Sequence, residues 1–366
     1  MTKPRILMVA TGGTIASAEE GNGLTPQLTG EQLAGYVPQA SELADIDIVQ
    51  PMNIDSTNMR PGDWQAIGDA VLARYEDYDG FVVLHGTDTM AYTAAALSYL
   101  IQDSPRPIVL TGSQQPMSSP FTDARINLYQ SVLYACDEES RDVSVVFGGK
   151  VVAGTRARKQ RTMSFNAFTS VNYPELALIR NERIIRTAPA DARRRAHEPR
   201  IYHDLDERVF VLKLTPEVNP SVFTLLREDY DAIILETFGI GGIPDALHDA
   251  IFGWVDSGRT LVVTTQVPEE GLDLGVYEVG RAYAEHPGIL RGADMTCEAL
   301  VAKTMWALGQ TRDATHLQEL FYAPVNHDRL AEAQRGRHRT GASKVTSWYP
   351  PRTRGLKPSL AGKFHR

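Results

Sequence analysis

A chain of 366 residues with 43% hydrophobic content can build two ordinary domains or one large one, and it has no run of about 20 apolar residues with which to cross a bilayer. Its net charge of -8 hides an asymmetry: from Ala331 onward nine Lys or Arg face one Glu, which leaves 28 basic and 44 acidic residues in the preceding part. That acidic body argues against nucleic acid as a partner of the main fold, and two distant cysteines, Cys136 and Cys297, indicate neither a disulfide framework nor a zinc site.

Met1-Thr2-Lys3-Pro4 leads directly into the apolar strand Arg5–Ala10, without the long apolar region and cleavage site of a secretory signal, so a cytoplasmic protein is expected. Thr11-Gly12-Gly13-Thr14-Ile15-Ala16-Ser17 leaves this strand through a double glycine carrying two threonines. Residues 18–30, rich in Gly, Glu, Thr and Pro, read as a mobile loop placed to act as a lid. A strand at 46–49 and a polar loop at 53–59, holding Ser56 and Thr57, precede a Pro-started helix at 60–74; the polar loop has ordinary turn and cap composition. Phe81-Val82-Val83-Leu84 is then a buried strand and 91–100 an alanine-rich helix, joined by the bend His85-Gly86-Thr87-Asp88-Thr89. At such a corner a glycine lets backbone approach a ligand, and the next helix exposes unpaired amides that suit small anions. Helix capping alone would also justify Asp88 and Thr89, and His85 reads as a packed structural residue. In an open parallel sheet neighbouring strands share one carboxyl edge, so both bends can face a single crevice.

A third glycine corner, Thr111-Gly112-Ser113-Gln114-Gln115-Pro116, follows a strand at 108–110, and the helix at 123–133 carries Arg125 and Asn127, which read as loop-holding residues. After the strand Val143–Phe147 comes a basic stretch, 151–160, in which Lys159 taken alone would be a solvated charge. Residues 188–199, with Arg193-Arg194-Arg195 and two prolines, read as a linker, beyond which strands and helices alternate again from Val209 to a helix at 294–308. The glycine-rich run Glu236-Thr237-Phe238-Gly239-Ile240-Gly241-Gly242 lacks the G-x-G-x-x-G spacing, which rejects a dinucleotide site. The whole predicts an α/β chain: a larger N-terminal, doubly wound, mostly parallel sheet domain over 1–187, a linker over 188–208, a smaller C-terminal α/β domain over 209–330, and a basic tail over 331–366. The tail is too poor in aliphatics to bury a core and reads as disordered, with weak binding of RNA or an anionic surface as its sharper reading.

The stretches Ala10-Thr11-Gly12-Gly13-Thr14-Ile15-Ala16 and His85-Gly86-Thr87-Asp88-Thr89, in that order and spacing, resemble the paired signatures of the bacterial-type L-asparaginases, the asparaginase/glutaminase amidohydrolase family. The resemblance runs from about residue 4 to about residue 330 and is closest to the cytoplasmic type I branch around Tyr78-Asp79-Gly80. It implies hydrolysis of a side-chain amide by acyl transfer to a hydroxyl followed by attack of water. Thr14 is then the nucleophile, with bend amides as oxyanion hole, while Thr87, Asp88 and Lys159 form a second catalytic set. It places Ser56 and Thr57 on the substrate α-carboxylate and Asp88 on its ammonium. Gly86, Thr87 and Ser113 complete the binding site, Ser113 through its carbonyl or hydroxyl, and Glu278 beside Tyr277 adds a further ammonium ligand at a subunit contact. The implied substrate is L-asparagine, the implied assembly a homodimer or homotetramer, and no metal or cofactor is required.

Two departures from the family pattern stand out. Leu24 occupies the place of a lid tyrosine that helps move the nucleophile's proton, with Tyr36 the next tyrosine along. Type I relatives can carry an allosteric asparagine pocket with an arginine where Glu236 stands and a cysteine near Val267, so that site is not expected to work here. Which threonine attacks first, and whether asparagine or glutamine is preferred, stay open at this point, since one methylene is worth only ~1–3 kcal/mol. The alternatives are the glutamine-hydrolysing subunit of a tRNA-dependent amidotransferase, which would be expected to carry an extra N-terminal domain where only a handful of residues precede the first strand of this sequence, and an impaired amino-acid-binding homologue. No G-x-S-x-G elbow or H-E-x-x-H motif offers a competing hydrolase.

Overall fold

The computed structural model describes residues 3–13, 17–20, 23–26, 35–187, 198–275, 282–283 and 286–330, with 17–20 and 23–26 given by backbone alone. Thr14, Glu278, the linker stretch 188–197 and the tail 331–366 lie outside the described residues.

Arg5–Ala10 has Asp45–Val49 on one side and Gly80–Leu84 on the other, parallel to both. The chain therefore leaves the first strand toward one neighbour and returns on the opposite side, which opens a crevice at the carboxyl ends of these strands. Ile108–Thr111 and Val143–Phe147 extend the sheet in parallel, and Lys150–Ala153, Ala177–Arg180 and Arg183–Arg186 finish it antiparallel, for eight strands in all.

Strand alternation divides the core. Leu7, Val9, Phe81 and Val83 pack with the helices Pro61–Leu72 and Met90–Leu100 on one face, while Ile6, Met8, Val82 and Leu84 pack with Ala124–Ala135 on the other. A doubly wound sheet is the result. A second, four-stranded sheet joins Val209–Lys213, Ala232–Thr237, Thr260–Thr265 and Ile289–Arg291, all parallel and in chain order. Met90–Leu100 is buried almost all round because Ala95, Ala96 and Tyr99 pack on the helix Cys297–Gln310 while Ala91, Ala94 and Leu97 face the large sheet.

Several elements differ from expectation. Where a loop is expected at 18–30, Ser17–Glu20 and Gly23–Pro26 pair as antiparallel strands, and Leu24 belongs to the second. The antiparallel strands after Val143–Phe147 go beyond the expected elements, although Gly148-Gly149 between two apolar runs is a hairpin turn, both glycines holding positive φ of 59° and 75°. The strand Ile289–Arg291 and the helix Ala314–Tyr322 are likewise additional, and the helix expected at 294–308 starts at Cys297, capped by the Thr296 hydroxyl.

The two bends of the crevice touch backbone to backbone. A Cβ on Gly13 would lie 2.3 Å from the Cα of Gly86, and one on Gly86 would lie 2.4 Å from the Ser56 hydroxyl and 3.2 Å from the Gly13 Cα. The Thr11 hydroxyl and amide both donate to the Leu84 carbonyl, and the Gly13 amide donates to that of Ile54, so the bends are also stitched by hydrogen bonds.

Gly13 has φ +83° and Gly258 φ +82°, but nothing lies within 4 Å of a Cβ at Gly258. Gly258→Ala should therefore cost only the left-handed backbone penalty of ~1–2 kcal/mol, and Gly13→Ala about 2–4 kcal/mol because overpacking adds to it. Urea unfolding measures both; equal losses would show that the contact between the bends tolerates a side chain.

Candidate active site

Thr87 ends up buried at the bend because the strand Gly80–Leu84 delivers it to the crevice floor, while Asp88 one residue on reaches the opening. Lys159 comes from elsewhere, the last residue of the short strand Ala157–Lys159, which among the described residues pairs with Phe168–Ser170 alone. Its Nζ donates to Thr87 Oγ1 at 2.8 Å and to Asp88 Oδ1 at 2.6 Å. An ammonium can only donate, so the Thr87 hydroxyl accepts from it and turns its own proton to Gln114 Oε1, 3.2 Å away. With the Asp88 side chain 57% exposed, this ion pair adds little stability. Its value is positional, since one Asp88 oxygen is held and the other is left for a ligand.

The remaining expected residues divide. Ser56 is buried against Gly86, and its carbonyl accepts from the Thr89 hydroxyl at 2.8 Å. Thr57 is exposed in the one-turn 3₁₀ helix Ser56–Asn58, with its amide donating to the Asp55 side chain. Ser113 is fully buried, and its hydroxyl donates to the Gln115 carbonyl at 2.6 Å. Thr14 follows directly on Gly13 in the chain; it and Glu278 are not among the described residues, so the geometry assembled here is that of Thr87, Asp88, Lys159, Ser56, Gly86 and Ser113.

Two supporting residues emerge only in the structure. Gln114 Oε1 accepts a hydrogen bond from the Thr87 hydroxyl, and the buried Asp123 carboxylate accepts from the amides of Gln114 and Gln115, fixing the third corner. The paired glutamines after Ser113 are the sequence signal, but nothing local says which side chain points inward. Asn127 does hold loops, bonding the Gly112 carbonyl and the Gly148 amide, and the Arg125 guanidinium lies 6.0 Å over the Tyr36 ring. Tyr36 thus lines a surface groove with Arg125, Tyr129 and Glu182 and none of the site residues. Glu236 and Val267 line one small polar cavity with Arg158, Thr264 and Cys297, where burial pushes the Cys297 thiol well above its usual range. Among the described residues no three of His, Cys, Asp and Glu gather as metal ligands would, and no helix is long and apolar enough to cross a membrane.

His85, beneath the central bend, is fully buried. Its Nδ1 lies 2.7 Å from the Gly86 carbonyl, which can only accept, so the ring carries its proton there and Nε2 accepts from the Thr93 hydroxyl at 2.9 Å. Burial pulls its pKa down to about 4, so the ring is a neutral strut.

Against known proteins, the family model "Asparaginase, N-terminal" matches residues 5–190 and "Glutaminase/Asparaginase C-terminal domain" matches residues 208–321. An L-asparaginase of Thermococcus kodakarensis is 38% identical over 323 residues, 87% of this chain and 96% of the relative. A glutamyl-tRNA(Gln) amidotransferase subunit of Metallosphaera sedula is 34% identical over 87% of this chain and 75% of the relative. The solved structure of the thermostable L-asparaginase from Thermococcus kodakarensis superposes with a TM-score of 0.81 at 35% identity, covering 89% of this chain and 99% of that one.

The His85 pKa sets a stability window. Unfolded, the ring takes up a proton below about 6.5; folded, it resists until about 4, so stability is complete above 6.5 and falls by up to about 3 kcal/mol as the pH drops to 4. His85→Gln, which cannot titrate, should show a flatter decline in urea stability across that window than the parent. Identical slopes would remove His85 as the cause.

Proposed function

Because the chain belongs to the asparaginase family, we propose that it hydrolyses the side-chain amide of L-asparagine to L-aspartate and ammonia, with Thr14 as the attacking hydroxyl. The observation that carries this reading is the Lys159 amine held within hydrogen-bond reach of both Thr87 and Asp88, on a bend pressed against the one that leads into Thr14.

In the first step the Thr14 oxygen adds to the amide carbonyl and ammonia leaves, giving an ester. The Gly13 amide is already committed to Ile54, so the oxyanion falls to donors of the bend at 85–89. Asp88, one oxygen held by Lys159, offers the other to the substrate ammonium, and the Ser56 and Thr57 turn takes the α-carboxylate. In the second step water, positioned by Thr87 with Lys159 behind it, attacks the ester and releases aspartate. Glu278 supplies a further ammonium ligand in an assembly of two or four copies. With Cys136 and Cys297 both unpaired thiols, a cytoplasmic setting suits the chain.

The amidotransferase reading is favoured by the Metallosphaera sedula relative at 34% identity, against 38% for the Thermococcus kodakarensis asparaginase. Ammonia release from free L-asparagine by the purified chain alone separates them: the proposal requires it, and release only with a partner protein and tRNA would move the assignment. Thr14→Ala, Thr87→Val and Lys159→Met are each expected to lower kcat at least a hundredfold. Near-parental turnover in any of them removes that residue from the mechanism. With Glu236 where some type I relatives carry an arginine, and Val267 near the place of their cysteine, asparagine saturation should be hyperbolic, and a sigmoidal curve would revive the second site.

A further inference from the structure

Lys159 is held by a short strand that has one pairing partner among the described residues, so what fixes the start of that strand matters for the reaction. The two residues before it, Thr155 and Arg156, are fully buried and are gripped by the far end of the described chain. The Thr155 hydroxyl donates to the Asn326 carbonyl at 2.6 Å, and Arg156 Nε donates to the His327 carbonyl at 2.6 Å, with its remaining nitrogens on the carbonyl and carboxylate of Asp294 at 2.8 and 2.9 Å. Asn326 and His327 both hold positive φ, 44° and 65°, a conformation that persists only where surrounding contacts enforce it.

The Asn326 side chain donates to Ser98 and to the Val143 carbonyl, His327 stacks on Tyr173, and Asp328 closes the turn itself. Asp328 Oδ1 accepts from the Val325 amide at 3.0 Å, while Oδ2 accepts from Tyr99 Oη at 3.0 Å and from Lys303 Nζ at 2.5 Å. Lys303 also donates to the Ala323 carbonyl at 2.7 Å, just before the turn. Both members of the pair are completely shielded from solvent. Removing one partner of such a pair leaves an uncompensated charge that the turn must move to relieve.

We propose that the buried pair of Lys303 and Asp328 is a positioning device for the reaction: by fixing the turn at 325–328 it fixes Thr155 and Arg156, and through them the placement of the Lys159 amine between Thr87 and Asp88. Neither residue touches Thr87, Asp88 or Lys159, so both act through the strand. The inference rests on the role given to Lys159 above.

Asp328→Asn keeps the size and an acceptor for the Val325 amide but strands the Lys303 charge. It should lower kcat for L-asparagine at least about tenfold with KM within about twofold, the signature of a displaced catalytic group rather than lost binding. Adding Lys303→Met removes the stranded charge and should restore kcat to within about threefold of the parent. Thr155→Val, which leaves the pair intact and cuts one link to the strand, should lower kcat about threefold or more without raising KM, and it keeps the proposal testable if Asp328→Asn does not fold. A purely structural pair would lower the unfolding midpoint while kcat per folded molecule stayed parental in all three variants, and that result overturns the proposal. Lys159→Met separates the two levels: lost turnover there with parental kcat in Asp328→Asn and Thr155→Val sinks only the positioning role, whereas retained turnover sinks the Lys159 assignment itself.

Discussion

The structure depends on one close approach, that of Gly13 to Gly86. Two strand-ending bends can share a crevice only if their backbones meet without side chains between them, and here the space for a Cβ at either position is already taken by the other bend or by Ser56. Gly86 is the more telling of the two because its φ is ordinary, so space alone demands glycine there. This contact brings Thr87 beside the loop that carries Ser56, and the switch of chain direction around Arg5–Ala10 is what leaves the crevice open at that point.

The site draws on parts of the chain that are far apart in sequence. The bend at 85–89 sits on the buried helix Met90–Leu100, which is clamped between the large sheet and the helix Cys297–Gln310. Lys159 arrives from a hairpin whose root is tied to residues 294 and 326–327. The smaller parallel sheet thus contributes to the catalytic geometry through the elements packed on it, although none of its strands supplies a catalytic side chain among the described residues.

What can be read in the sequence follows the length scale of the signals. The strands Arg5–Ala10, Gly80–Leu84 and Ile108–Thr111 are legible because each is a mainly apolar run leading into a glycine corner, and Thr87, Asp88 and Ser113 draw notice because they sit on those corners, whereas Ser56, in a polar loop of ordinary turn composition, is picked out only through family resemblance. Lys159 is visible only through family resemblance; a lysine in a basic stretch carries no local mark of pointing inward, and its partners lie more than seventy residues away. The antiparallel strands at 150–153, 177–180 and 183–186 escape a sequence reading because their partly exposed, arginine-bearing or lysine-bearing sequences lack the uniform apolarity of the central strands. The buried charges at Lys303 and Asp328 are invisible for the same reason in reverse: charged residues near the end of a chain look solvated until packing closes over them.

Turnover of L-asparagine by Gly86→Ala tests the central claim most directly, since the substitution adds one methyl group at the point where the two bends meet and alters no chemical group of the site. With folding verified by circular dichroism, the account predicts a loss in kcat of at least about a hundredfold, as expected for catalytic groups moved by an ångström or so. A folded Gly86→Ala protein that turns over asparagine at close to the parental rate would contradict it.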